Sequence, residues 1–291
     1  MSTPHGEHPK PVTYARYVAL GDSQTEGLGD GDDATGLRGW ADRLAERLAV
    51  ANPSLRYANL AVRGRVAEQV RAEQLGPALA LRPDLATVLA GVNDLLRPRF
   101  DAAEVVAHLE EMFAALTASG ARVATATFPD VGRIAPLARP LRPRVLDLNA
   151  RIRAAAARHH VTVAETAYPP VTTDPRLWSR DRLHASPLGH DRIAAAIADA
   201  LGLPGSDDTW TLPLPPLPTP TGPRAAVAEV RWGAAFLGPW LVRRVRGRSS
   251  GDGRTAKRPD LLPWTAAPDS PTVLGRVDLA TGGAGGLGAD V

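Results

Sequence analysis

Five short, nearly unbroken apolar runs constrain this chain more than any other feature: Tyr17–Leu20, Tyr57–Val62, Leu85–Gly91, Arg122–Thr127 and Val161–Glu165. Runs of this length, apolar at successive rather than alternate positions, read as strands covered on both faces. Between them lie stretches rich in Ala, Leu, Glu and Arg, about 37–51, 66–80, 101–119 and 140–159, with another at 187–201. Strand–helix alternation of this kind predicts right-handed crossovers and a parallel sheet with helices on both sides. Ligands bind such sheets beyond the carboxyl ends of the strands, so the loops after these runs are where chemistry is to be sought.

The first of those loops opens with "GDSQTEG", residues 21–27. Gly-Asp-Ser alone is common turn chemistry, and Asp22 reads as the residue that secures the turn. Ser23, however, sits just past the end of a buried strand, the address expected of a nucleophile. A serine nucleophile needs a base, an orienter for that base and donors for the developing oxyanion. His184 and His190 follow the last predicted strand, and Asp181 precedes His184 by three residues in "SRDRLHASPLGH". On a turn, that spacing lets the Asp181 carboxylate reach one imidazole nitrogen while the other faces the site. His190, on the following helix, is expected to be structural or part of a pocket wall.

Candidate donors stand after two further strands. In "NLAVRGR", Gly64 has no side chain to keep its N–H from a ligand. In "VLAGVNDLL", Asn93 could donate its side-chain amide, although Asn93-Asp94 alone could be an Asx turn. Trp178, close in sequence to Asp181 and His184, is a candidate pocket residue, as is Asp22. The loop "GLGDGDDATG" (27–36) lacks both the Gly-Lys-Ser/Thr ending of a phosphate loop and the calcium-loop pattern, and reads as a flexible loop at a pocket mouth.

Taken in order, "GDSQTEG", "NLAVRGR", "GVND" and "DRLH" resemble the successive blocks of the SGNH (GDSL-type) hydrolase superfamily. The resemblance covers about residues 15–202. It implies an α/β fold, a three-layer α/β/α sandwich with a flavodoxin-like five-stranded parallel sheet, in agreement with the strand count. It further implies a serine esterase with Ser23 as nucleophile, His184 as base and Asp181 as its orienter. The N–H groups of Ser23 and Gly64 and the amide of Asn93 would form the oxyanion hole, with no cofactor and no metal. The first block carries Gln24 where the family usually has Leu. Two alternatives use the same fold: a non-catalytic flavodoxin-like binding module, and an acyltransferase with the same site.

Composition narrows the partners. The chain has no cysteine, which removes thiol nucleophiles, disulfides and cysteine-ligated metals. A formal net charge of +3 and only 5% aromatic residues argue against nucleic acid. The expected partner is a small ester, with short acyl groups favoured because no long apolar lid segment is visible within the core. No signal-like or membrane-spanning apolar run is present, so a cytoplasmic location is expected.

Residues 1–14 read as a flexible N-terminus, 15–205 as the catalytic domain and 206–223 as a linker, whose "LPLPPLPTPTGP" has six prolines. Residues 224–291 form a basic, partly helical extension with a Gly-rich end; Arg224 to Arg258 holds nine basic residues against two acidic ones. Its Trp and Arg residues are expected to dock on the core, near the pocket, through Trp232, Phe236 and Trp240, with a break at Gly238-Pro239. Contact with an anionic membrane surface is the less favoured reading.

Overall fold

The computed structural model describes residues 13–216, 231–237 and 250–265. Most of the expected flexible N-terminus, the Gly238-Pro239 break, the side chain of Phe236, Trp240 and the Gly-rich end lie outside the described residues.

β1 (Arg16–Gly21) runs into α1 (Ser23–Glu26), then into a small antiparallel hairpin of β2 (Gly31–Asp32) and β3 (Gly36–Leu37). The expected flexible loop is therefore shaped locally: Asp30 pairs with Arg43 and Asp33 with Arg63, while Asp32 accepts from Ala34 and Thr35 within the turn. The chain continues through α2 (Trp40–Ala51), β4 (Arg56–Asn59), α3 (Ala67–Ala80), β5 (Leu85–Leu89), α4 (Val92–Leu95) and α5 (Ala102–Ala118). β6 (Arg122–Ala126), α6 (Val131–Ile134), α7 (Arg142–Arg158), β7 (Thr162–Ala164), α8 (Pro187–Leu201) and β8 (Arg258–Pro263) complete it.

The sheet order is β7-β6-β5-β1-β4-β8. Its first five members are the predicted apolar runs, and all their pairings are parallel. Crossovers from β1 to β4 and from β4 onward to β5 lead in opposite directions, which puts α2 and α8 on one face and α3, α5 and α7 on the other. The strand order reverses beside β1, so the loops after β1, β4 and β5 open around one crevice at the carboxyl edge. Core packing holds β1 in place. Val18, Ala19 and Leu20 are fully buried, and the Tyr17 ring stacks on Tyr57 of β4 at 5.1 Å. Burial of a side chain the size of Leu20 contributes about 1.5–3 kcal/mol.

The sixth strand belongs to the extension. β8 pairs antiparallel with β4, buries Leu261, and places Trp264 edge-on to Tyr57 at 5.6 Å. Its sequence, "RPDLLP", holds two prolines and reads poorly as a strand. At an edge only one side of the strand is hydrogen-bonded, so proline is tolerated there. Lys257, just before it, pairs with the buried Asp42 of α2. Residues 231–237 are helical, within the stretch expected to be so. Trp210, in the stretch read as a linker, is buried, and its indole donates to Asp199 of α8 at 3.0 Å. No helix among the described residues is long and apolar enough to cross a membrane.

Candidate active site

β1 ends at Gly21, and the Asp22 carboxylate caps the next turn by accepting from the Gln24 N–H at 3.2 Å. Ser23 is thereby the first residue of α1, held at the strand edge. Its Oγ lies 2.9 Å from His184 Nε2, and His184 Nδ1 lies 2.6 Å from Asp181 Oδ2. A carboxylate only accepts, so Nδ1 carries the imidazole proton and Nε2 presents its lone pair to the Ser23 hydroxyl.

The Asp181 turn is built to keep that tautomer. Its Oδ1 accepts from Ser179 Oγ at 2.6 Å and from the N–H groups of Leu183 and His184 at 2.9 and 3.0 Å. Burial opposes ionisation of Asp181. The hydrogen bond and charge of His184, with the other donors, outweigh it and hold the carboxyl well below the usual range.

Gly64 and Asn93 border the same cleft as Ser23 and His184. Gly64 has φ +78°, a backbone conformation that disfavours any side chain, so the turn after β4 needs glycine here. Asn93 stands in α4 directly beyond β5. Its side-chain N–H groups donate to Asp22 Oδ2 at 3.1 Å and to the Arg65 carbonyl at 3.0 Å. The amide thus ties together the ends of three strands. Asp22, read as a pocket candidate, is not on the cleft surface: it is 1% exposed, occupied by its cap and by Asn93. Burial pushes its pKa up to about 7, against the opposing hydrogen bonds and the His184 charge. Trp178 does border the cleft, where its indole donates to the Thr172 carbonyl at 2.9 Å.

His190 takes no part. It is fully buried; Nδ1 accepts from the Trp40 N–H at 3.1 Å and Nε2 donates to the Leu28 carbonyl at 2.9 Å. Desolvation lowers its pKa to about 4, so it is a neutral strut between α8 and the start of α2. Among the described residues no cluster of His, Asp and Glu could hold a metal ion.

The cleft has a volume of about 560 Å³ and mainly apolar walls. Val131, Ile134, Leu137 and Leu141, between β6 and α7, form one of them. That segment is an apolar wall that the sequence reading did not find. Its prolines, Pro136 and Pro140, break helical periodicity, so no amphipathic pattern announces it. Trp210 and Trp232 also line the cleft; docking of Trp232 on the core is expected from the sequence, whereas Trp210 carries no local signal of its place.

Solved structures of similar fold share the core. The α/β hydrolase LAE5 from the metagenome of Lake Arreo is 22% identical, with a TM-score of 0.54 over 65% of this chain and 95% of its own. Axe2, an acetylxylan esterase from Geobacillus stearothermophilus, is 17% identical, with a TM-score of 0.54 over 69% of this chain and 100% of its own. TesA is 23% identical, with a TM-score of 0.54 over 64% of this chain and 97% of its own. No curated protein matches the chain. Residues 19–192, from β1 into α8, match the GDSL-like lipase/acylhydrolase family. A match to a lipase/acylhydrolase family sets aside the non-catalytic binding module. With that match running through every strand end that opens on the cleft, the chain belongs to the GDSL-like lipase/acylhydrolase family and is an ester hydrolase of the SGNH type.

Proposed function

We propose that the chain cleaves carboxylic esters through an acyl-enzyme on Ser23, with His184 as base and Asp181 as its orienter. The observation that carries this reading is the relay from Ser23 Oγ to His184 Nε2 at 2.9 Å and from His184 Nδ1 to Asp181 Oδ2 at 2.6 Å. Ser23 Oγ attacks the carbonyl carbon as its proton passes to His184 Nε2. Asp181 stabilises the imidazolium so formed. The oxyanion is received by the N–H groups of Ser23 and Gly64, and by the Asn93 amide once one of its N–H groups leaves Asp22 or the Arg65 carbonyl; each such donor contributes about 3 kcal/mol to the transition state. Collapse breaks the bond to the alcohol oxygen, which takes the proton from His184. Water, deprotonated in turn by His184, releases the acid and restores Ser23. The apolar cleft supports acyl groups larger than acetyl.

The test is intact-mass labelling with a fluorophosphonate, together with hydrolysis of nitrophenyl esters. Wild type should take one adduct, and Ser23→Ala none. Ser23→Ala and His184→Ala should both lose turnover, with Asp181→Asn losing less. A folded wild-type protein that neither labels nor hydrolyses any ester would overturn the reading.

A further inference from the structure

The family match ends at residue 192, yet the cleft does not. Trp232, on the C-terminal extension, is among the residues that line it. The Trp232 ring packs against the Arg182 guanidinium at 4.9 Å, and Arg182 lies between Asp181 and His184 in the chain. On the other side, a side chain built at Gly233 would meet Leu137 Cδ1 at 3.7 Å, ordinary contact distance. The segment therefore spans from the loop that carries the base to the apolar wall between β6 and α7. Trp232 is half-buried there, and its indole N–H has no partner among the described residues.

The extension also meets the opposite rim. Ser250 lines the cleft, and a Cβ on Gly251 would stand 2.0 Å from the carbonyl oxygen of Arg63, the residue before Gly64. Arg254 then pairs with Asp33, and β8 completes the sheet. The chain that follows the Trp232 segment is thus anchored to the core.

We infer that Trp232 is a specificity-determining wall of the substrate cleft, set against the hydrocarbon chain of an ester, so that the extension selects chain length. The inference rests on the esterase reading and adds to it the substrate class, esters of medium to long apolar acyl groups. A volume of about 560 Å³ far exceeds what an acetyl group fills and falls among sites that enclose a whole apolar ligand, roughly 300–1,000 Å³. Loss of the indole removes apolar contact only from substrates long enough to reach it. An acyl chain gains about 0.8 kcal/mol, close to fourfold, for each methylene buried.

The experiment compares full-length wild type with Trp232→Ala, Trp232→Phe and Leu137→Ala on nitrophenyl acetate, butyrate, octanoate and dodecanoate. The readout is the octanoate-to-acetate ratio of kcat/KM, with fluorophosphonate labelling of Ser23 run alongside and folding checked by thermal melting. The ratio should fall roughly tenfold in Trp232→Ala, as burial of one to two methylenes requires. It should recover in Trp232→Phe, which restores an aromatic wall, and fall in Leu137→Ala, which thins the surface that the segment faces. Unchanged ratios in Trp232→Ala and Leu137→Ala, with wild type labelled and active, would overturn the inference and leave the esterase standing. A wild type that neither labels nor hydrolyses overturns both. Should Trp232→Ala fail to fold, Leu137→Ala and Trp232→Phe decide: a Leu137→Ala ratio equal to wild type overturns the inference.

Discussion

The side-chain amide of Gln24 donates to the carbonyl of Leu183 at 2.7 Å, and its oxygen accepts from the N–H of Ala185 at 3.2 Å. One buried carboxamide next to Ser23 thus grips both peptide groups that flank His184. A leucine at this position could do neither.

Gln24→Leu should therefore loosen His184 without removing any reacting group. Turnover should fall about tenfold or more, because misplacement of a base by a fraction of an ångström is costly. The loss should lie mainly in kcat, and fluorophosphonate labelling of Ser23 should slow in parallel. A Gln24→Leu protein with wild-type kcat and labelling rate would show that the grip is dispensable.

Glu26 and Arg63 form a buried ion pair beneath the site. Glu26 accepts from the Arg63 guanidinium at 2.7 Å and from the Arg63 backbone N–H at 2.6 Å, which fixes the turn just before Gly64. Removal of one partner of such a pair leaves a buried charge and costs about 3–5 kcal/mol. Glu26→Ala should fall at the low end, since Asp33 still meets Arg63. Urea unfolding at neutral pH measures it, and a shift below about 1 kcal/mol would contradict the reading.

The buried His190 predicts an acid limit to stability. Its folded pKa, about 4, lies below its ordinary 6.5, so the folded state favours the neutral ring. The contribution is complete above pH 6.5 and is lost as pH falls towards 4, on the order of 3 kcal/mol in all. His190→Gln, which can still accept from Trp40 and donate to Leu28, should flatten that slope. Unfolding curves at several pH values between 4 and 7.5 test it.

Asp22 works in the opposite sense. Burial raises its pKa to about 7 from 3.8, so the folded state favours the protonated carboxyl. Stability is full below pH 4 and declines as pH rises to about 7, by up to a few kcal/mol. Asp22→Asn keeps an acceptor for the cap and carries no charge. Its stability relative to wild type should grow between pH 4 and 7 and level off above. A difference independent of pH would argue against burial as the cause.

Five strands, five helices and the address of Ser23 were legible because each rests on local physics. A continuous apolar run must be covered on both faces, and the loops after parallel strands must open at one edge. The residues brought together at that edge, Ser23, Gly64, Asn93, Asp181 and His184, could be named from their blocks. Their bonding could not. That Asn93 leans on Asp22, that Gln24 holds a loop 159 residues away, and that Trp232 reaches the cleft are contacts between distant segments. Such contacts leave no periodic trace in either partner.

The same holds for β8 and for the apolar wall between β6 and α7. One is a proline-bearing edge strand and the other a proline-broken turn, so neither shows the spacing by which a sequence declares its structure. Sequence by itself determined the sheet and the order of the strand-end loops, since these follow from burial and chain order, while the residues proposed to react there were named by their resemblance to a family. Only the tertiary structure decided what shapes the cleft and steadies His184, because those depend on which remote surfaces the finished core brings within contact.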